Sequence, residues 1–247
     1  MYNLLIALGV GVLAFGLGTL GGKWLYGFAP AMLVAPAVYF FLARRSGKQL
    51  EAIMAKAMNE LQDGRVKVAK ETIASGYPLG KWQFLISKQI HAQLGALEYI
   101  QKNYKQARPL LEKAWSRNWQ AQGMLAVIDA RDKKHDEAIA RFEKATFLGK
   151  KEPVMWALWV WLLLDAKRVE AAMKKAAEAV ETCESNKTLK ELQAAIANDK
   201  MKRFKWGKVF GQSWYQFFPD QVPVQRGASP ANHPNMRGRK TYPHPRR

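Results

Sequence analysis

Residues 102–114 read Lys102-Asn-Tyr-Lys-Gln-Ala107-Arg-Pro-Leu-Leu111-Glu-Lys-Ala114, and residues 133–145 read Lys133-Lys-His-Asp-Glu-Ala138-Ile-Ala-Arg-Phe142-Glu-Lys-Ala145. The second stretch repeats the first 31 residues later. Each has a small residue at its sixth position, a large apolar one at its tenth and Glu-Lys-Ala at its end. Apolar positions recur at i, i+4 and i+7, the spacing of one helix face. Leu94-Gly95 stands before the first copy at the offset at which Leu125-Ala126 stands before the second, so each unit reads as a pair of helices. A third copy starts at Pro153, with Trp156 at its first aromatic position and Ala172, Ala176 and Ala179 in its second helix. A degenerate first copy runs from Leu50, with Gly64-Arg65 as its turn and Ala69 and Ile73 beyond it. From about 48 to 202 nothing alternates with the period of a strand. The expected fold is therefore all-α, with helical pairs that bury their apolar faces on one another.

This pattern resembles the tetratricopeptide repeat (TPR), a helix-turn-helix unit of about 34 residues. His91 and Gln122 replace the usual early Trp, and the spacings of 38, 31 and 34 residues are irregular. The resemblance implies an α-solenoid over 48–202 whose first helices line a concave groove. Met54, Met58, Gln89, Ala92, Ala96, Tyr99, Val127, Ala130, Trp161 and Leu164 fall at groove-facing positions. That lining is mostly apolar, so these residues either belong to the core or accept an apolar or amphipathic helix of a protein partner. Pro153 to Leu164 is apolar on every face and too short to cross a bilayer. Trp156, Trp159 and Trp161 within it are either covered by this chain or anchor a partner.

Working outward towards the N-terminus, 21 residues from Tyr2 to Gly22 carry no charge, and neither do 20 from Trp24 to Ala43. Each is long enough to span a hydrocarbon core about 30 Å thick. Residues 1–47 thus read as a transmembrane hairpin with spans at about 2–22 and 24–43, turning at Lys23. The alternative is a signal-anchor with one span; a cleaved signal peptide lacks its basic n-region here. Arg44, Arg45 and Lys48 after the second span favour a cytoplasmic position for both termini and the repeat region. Ala7, Gly11, Ala14, Gly18 and Gly22 form a ridge of small residues on the first span, for packing against the second or against another subunit. Gly16-Leu-Gly18-Thr-Leu-Gly21 fits the dinucleotide-binding pattern only as letters, since it lies inside an apolar span.

Working outward the other way, the chain's +19 charge, from 39 Lys+Arg against 20 Asp+Glu, concentrates at the C-terminus. Residues 200–247 hold 11 basic side chains and one acidic one. In 203–219, Trp206, Phe210, Trp214, Phe217 and Phe218 follow one helical stripe, with Lys202, Arg203, Lys205 and Lys208 beside it. Three readings stay open: a cap on the solenoid, an interfacial helix on anionic lipid, and a segment that inserts into a partner. Residues 220–247, rich in Pro, Gly and Arg, read as a disordered basic tail in which Arg237, Arg239 and Lys240 meet lipid or an acidic partner. Nucleic acid is the less favoured partner, because no folded RNA-binding module accompanies the charge.

One Cys and four His leave no disulfide framework and no standard zinc set. No nucleophile–base pair, Walker loop or HExxH is present, so neither catalysis nor a cofactor is expected. The layout resembles bacterial inner-membrane TPR proteins of secretion systems, among them the member of the Pel exopolysaccharide system. That likeness implies assembly with a membrane glycosyltransferase or export channel. The lipopolysaccharide-assembly regulators of similar layout carry a paired-Cys metal module, for which this chain has too few Cys. The expected function is a membrane-anchored cytoplasmic scaffold that recruits protein partners. The alternatives are an accessory subunit of a transport or motor complex docking through the hairpin, and a ribosome- or RNA-associated factor using the tail.

Overall fold

The computed structural model describes residues 1–20, 24–145, 149–184 and 186–222. Gly22 and the tail residues Arg237, Arg239 and Lys240 lie outside them. Among the described residues there is no strand.

Two helices long and apolar enough to cross a membrane open the chain: α1 (Tyr2–Thr19) and α2 (Leu25–Gln62). They pack along the small-residue ridge. A Cβ on Gly18 would lie 2.7 Å from the Gly27 Cα, and one on Gly11 would lie 2.8 Å from the Ala35 Cβ. Ala7 is buried and Ala14 half-buried in the same seam. The ridge is thus occupied by the second helix, the close approach that small residues allow.

Across the expected boundary at 47/48, α2 runs unbroken for 38 residues, from its apolar stretch through Arg44, Arg45 and Lys48 into the helical body. At 1.5 Å per residue this is a rod of about 57 Å. Ser46 and Gly47 stay in helical geometry, and the Ser46 hydroxyl donates to the Leu42 carbonyl at 3.1 Å. Pro30 and Pro36 lie inside the helix without ending it.

The body continues with α3 (Val66–Ala74), a 3-10 turn (Tyr77–Lys81), α4 (Phe84–Ile100), α5 (Tyr104–Glu112), α6 (Trp119–Arg131), α7 (His135–Ala145), α8 (Pro153–Asp165), α9 (Val169–Thr182) and α10 (Lys187–Ala197). One turn geometry recurs between α2 and α3, α4 and α5, α6 and α7, and α8 and α9. Gly64, Lys102, Lys133 and Lys167 have φ between 59° and 75°, and the next amide reaches back five residues: Arg65 to Glu60, Asn103 to Glu98, Lys134 to Asp129 and Arg168 to Leu163, at 2.8–2.9 Å. This is the helix-ending hydrogen-bond pattern with a left-handed residue, for which Gly is the unstrained choice. Five residues after each left-handed position stands an alanine with no exposed surface: Ala69, Ala107, Ala138 and Ala172. Smallness there lets the second helix of each pair close on the first.

The core falls into a smaller cluster around Leu50, Ala69, Ile73 and Ile90 and a larger one from α4 to the C-terminal segment. Asp129 is buried in the larger one. Its carboxylate accepts from Arg108 Nη1 of α5 at 2.7 Å and from Arg141 Nε of α7 at 2.9 Å, so one residue of α6 ties three helices together. Paired and hydrogen-bonded in this way, a buried charge is tolerable.

Candidate functional site

Side chains of α4, α6 and α8 make an apolar face that the chain covers with its own C-terminal segment. That segment is not the single helix expected from the aromatic stripe. It comprises a 3-10 turn (Met201–Arg203), α11 (Trp206–Phe210), α12 (Gln212–Tyr215) and a second 3-10 turn (Pro219–Gln221). Gly211, at φ 64° and ψ −148°, breaks the helix in a conformation closed to other residues. The break lets the rings of both halves face the body.

Phe217 is fully buried, its ring against Gly123 and its centroid 5.9 Å from that of Trp119. A Cβ on Gly123 would lie 3.0 Å from this ring and 2.7 Å from the end of the Leu158 side chain, so a larger residue here forces one of them to shift. The Tyr99 hydroxyl donates to the Phe217 carbonyl at 2.6 Å, and burial pushes the Tyr99 pKa far up. Trp161 meets Phe218 edge-on at 4.6 Å, Phe218 stacks on Trp214, and Trp214 stacks on Trp206. At the rim, Asp220 takes contacts from Lys102 Nζ and Arg131 Nη2, both at 2.8 Å, and from the Tyr104 hydroxyl at 3.2 Å. Hydrogen bonds from Lys102 and Arg131 hold its carboxyl at about 2.

The groove residues expected from the sequence therefore do not form one open surface. Tyr99, Trp161 and the buried Val127 belong to the filled face or the core behind it. Of the two readings left open for Trp156 and Trp159, their burial favours the core. They stack on each other at 5.8 Å, Trp156 Nε1 donates to the Lys150 carbonyl at 2.8 Å, and Lys175 Nζ lies 4.2 Å above the Trp159 ring. The all-apolar helix is covered by α6, α7, α9 and α10, with Phe218 of the C-terminal segment against Trp161. Leu164 and Met54 are half-buried, while Met58 and Gln89 are exposed and lie away from the filled face's contacts. Gly123 and Asp220 were not singled out by the sequence, although Asp220 is the one acidic residue in the basic C-terminal stretch.

Of the three readings left open for the aromatic stripe, the burial of Phe210 and Trp214 favours the cap. Both are buried, because their rings cover apolar surface of the body, and Trp206 is half-buried with them. Their basic neighbours point outward. Lys202 is exposed, and Arg203, Lys205 and Lys208 join Lys187 and Lys200 around an open groove of about 810 Å³ against α10. Its floor carries Ala194, Ala195, Phe204 and Val209, and Glu191 is its one acidic residue. A positive rim over an apolar floor suits an acidic amphipathic segment.

Two other titratable side chains, His91 and Cys183, are partly enclosed. His91 is hydrogen-bonded to the Tyr77 hydroxyl at 2.9 Å, and burial, with Lys113 nearby, lowers its pKa. Cys183 is half-buried, and burial pushes its thiol up, away from the reactive thiolate. No group of three His, Cys, Asp or Glu among the described residues is arranged to hold a metal. No protein-family model, curated protein or solved structure matches the chain.

Proposed function

We propose that the chain is a membrane-anchored, TPR-like scaffold. Its hairpin crosses the bacterial inner membrane and its helical body recruits a protein partner on the cytoplasmic side, without catalysing a reaction. The observation that carries this is the unbroken α2. One rod belongs to both the apolar hairpin and the first helical pair, so the body is held at a fixed pose to the bilayer rather than on a tether. The recurring left-handed turn and the buried alanine five residues later support the TPR-like reading. The basic residues after the second span support the cytoplasmic side.

Because the apolar face of α4, α6 and α8 is covered, the docking surface is the basic groove along α10, and the partner contributes an acidic amphipathic helix. The test uses the full chain, isolated in mild detergent from its native membrane, with Lys187→Glu, Lys205→Glu and Lys208→Glu combined. A copurifying protein that is lost while circular dichroism stays unchanged supports this surface. A partner that stays bound moves the docking surface elsewhere. A second reading, an accessory subunit docking through lipid, draws on an apolar furrow of about 510 Å³ between α1 and α2, lined by Leu8, Val12, Phe28 and Met32. A partner that survives the charge reversal but is lost on Val12→Trp favours it.

A further inference from the structure

The first residues of α1 are not free. The Met1 ammonium donates to the Lys81 carbonyl, and the Asn3 amide donates to the Trp82 carbonyl at 3.3 Å. The Tyr2 ring meets Trp82 edge-on at 5.3 Å, and the Asn3 side chain donates to the Ser46 hydroxyl at 3.0 Å. These contacts fix the turn at 77–82 beside the point where the apolar part of α2 ends, at Ala43. Trp82 and Phe84, on and just after that turn, are 43% and 47% exposed, which is a wasteful place for large rings in water. Rings of this kind collect at the level of lipid headgroups.

The same level is strongly cationic. Arg44, Arg45 and Lys48 follow the span within about one helical turn, with Lys81 on the facing turn. None of these four makes an ion pair among the described residues. Two hollows share Arg45 and Gln49. One, of about 190 Å³, lies between Asn3, Leu42, Ser46 and Trp82. The other, of about 460 Å³, is bounded by Phe40, Phe41, Arg44 and Lys48. Unpaired like charges at i and i+4 repel, and a bound anion removes that repulsion.

We propose that this is a headgroup site for an anionic phospholipid. Arg44, Arg45 and Lys48 take the phosphate and the acyl chain runs down Phe40 and Phe41. The Trp82–Phe84 turn rests in the interface as a third, non-spanning membrane contact. Basic pockets at the cytoplasmic end of transmembrane helices suit such headgroups. The inference depends on the hairpin crossing the membrane.

The test is native mass spectrometry of the full chain, released from micelles equilibrated with equal amounts of phosphatidylglycerol and phosphatidylcholine. The parent protein retains phosphatidylglycerol preferentially, and Arg45→Gln with Lys48→Gln lowers the ratio at least tenfold, at roughly fivefold per cation. Lys174→Gln with Lys190→Gln, the same charge change at the far end, leaves the ratio unchanged. A parent ratio near one, no drop in the first variant, or equal drops in both overturns the site. If the first variant unfolds, the parent decides alone: the ratio falls with ionic strength, or the site is refuted. Carbonate washing of native membranes separates the two failures. A washed-off chain removes the hairpin reading and this site together, whereas a retained chain with no lipid preference removes only the site.

Discussion

Phe217→Ala tests whether the C-terminal segment is part of the folded body. The ring is fully buried between Trp119, Gly123 and the surrounding core, so its removal loses transfer free energy and leaves a cavity. For Phe→Ala these effects sum to about 3–5 kcal/mol. For a domain of this size, about 2–4 °C per kcal/mol puts the fall in Tm on the order of 10 °C. The segment is near the chain end, so it detaches locally once its own docking free energy is spent, and that limits the global loss. Thermal circular dichroism in detergent gives the shift, and amide exchange along α4 near Tyr99 and along α6 near Gly123 reports detachment. Gly123→Ala supplies a second axis. Its methyl would lie 3.0 Å from the Phe217 ring and 2.7 Å from Leu158, at a cost of about 1–3 kcal/mol. Part of that clash vanishes once Phe217 is gone, so the double variant is less destabilised than the sum by about 0.5 kcal/mol or more. A Phe217→Ala protein that melts with its parent and exchanges no faster along α4 and α6 refutes the packing of 204–222 on the apolar face of α4 and α6.

Other perturbations have defined signs. Asp129→Ala strands two arginine partners beside the core and costs about 3 kcal/mol, at the low end for a broken buried pair because both arginines are partly exposed; chemical denaturation measures it. Lys133→Gly relieves a left-handed non-glycine position and stabilises by about 0.5–1 kcal/mol, whereas a loss of stability would show that the turn is unstrained. Asp220 has a folded pKa of about 2, below its usual 3.8, so its contribution is complete above pH 4 and is lost as pH falls from about 4 to 2. Its side chain is 45% exposed, so Asp220→Asn costs under about 1 kcal/mol at pH 7 and flattens that acid limb of the Tm–pH curve.

What the sequence made legible follows periodicity. The small positions Ala107, Ala138 and Ala172, found from a repeat, are all fully buried, and the two apolar runs became the two long N-terminal helices. The left-handed turns were harder, because three of the four hold Lys where a sequence signal would be Gly. Continuity of α2 was hidden because hydropathy changes at Ala43 while helical geometry does not. Packing of the aromatic stripe on the body was one of three readings that the sequence left open, and the bent course by which it packs was not legible. Tyr99 and Phe217 meet across 118 residues, and the bend that brings them together depends on one glycine's φ. Asp129 was missed for a related reason: its arginine partners lie on two other helices, and nothing local marks it as buried.

The most direct measurement is sidedness. In a Cys183→Ser background, single cysteines at Tyr2, Lys23 and Lys205 are treated with a membrane-impermeant maleimide in right-side-out vesicles. A hairpin that holds the body on the cytoplasmic side gives labelling at 23 alone, with 2 and 205 reacting only after permeabilisation. Labelling at 205 from outside, or opposite sidedness of 2 and 205, would contradict the anchored cytoplasmic scaffold and the docking of Met1 on the helical body.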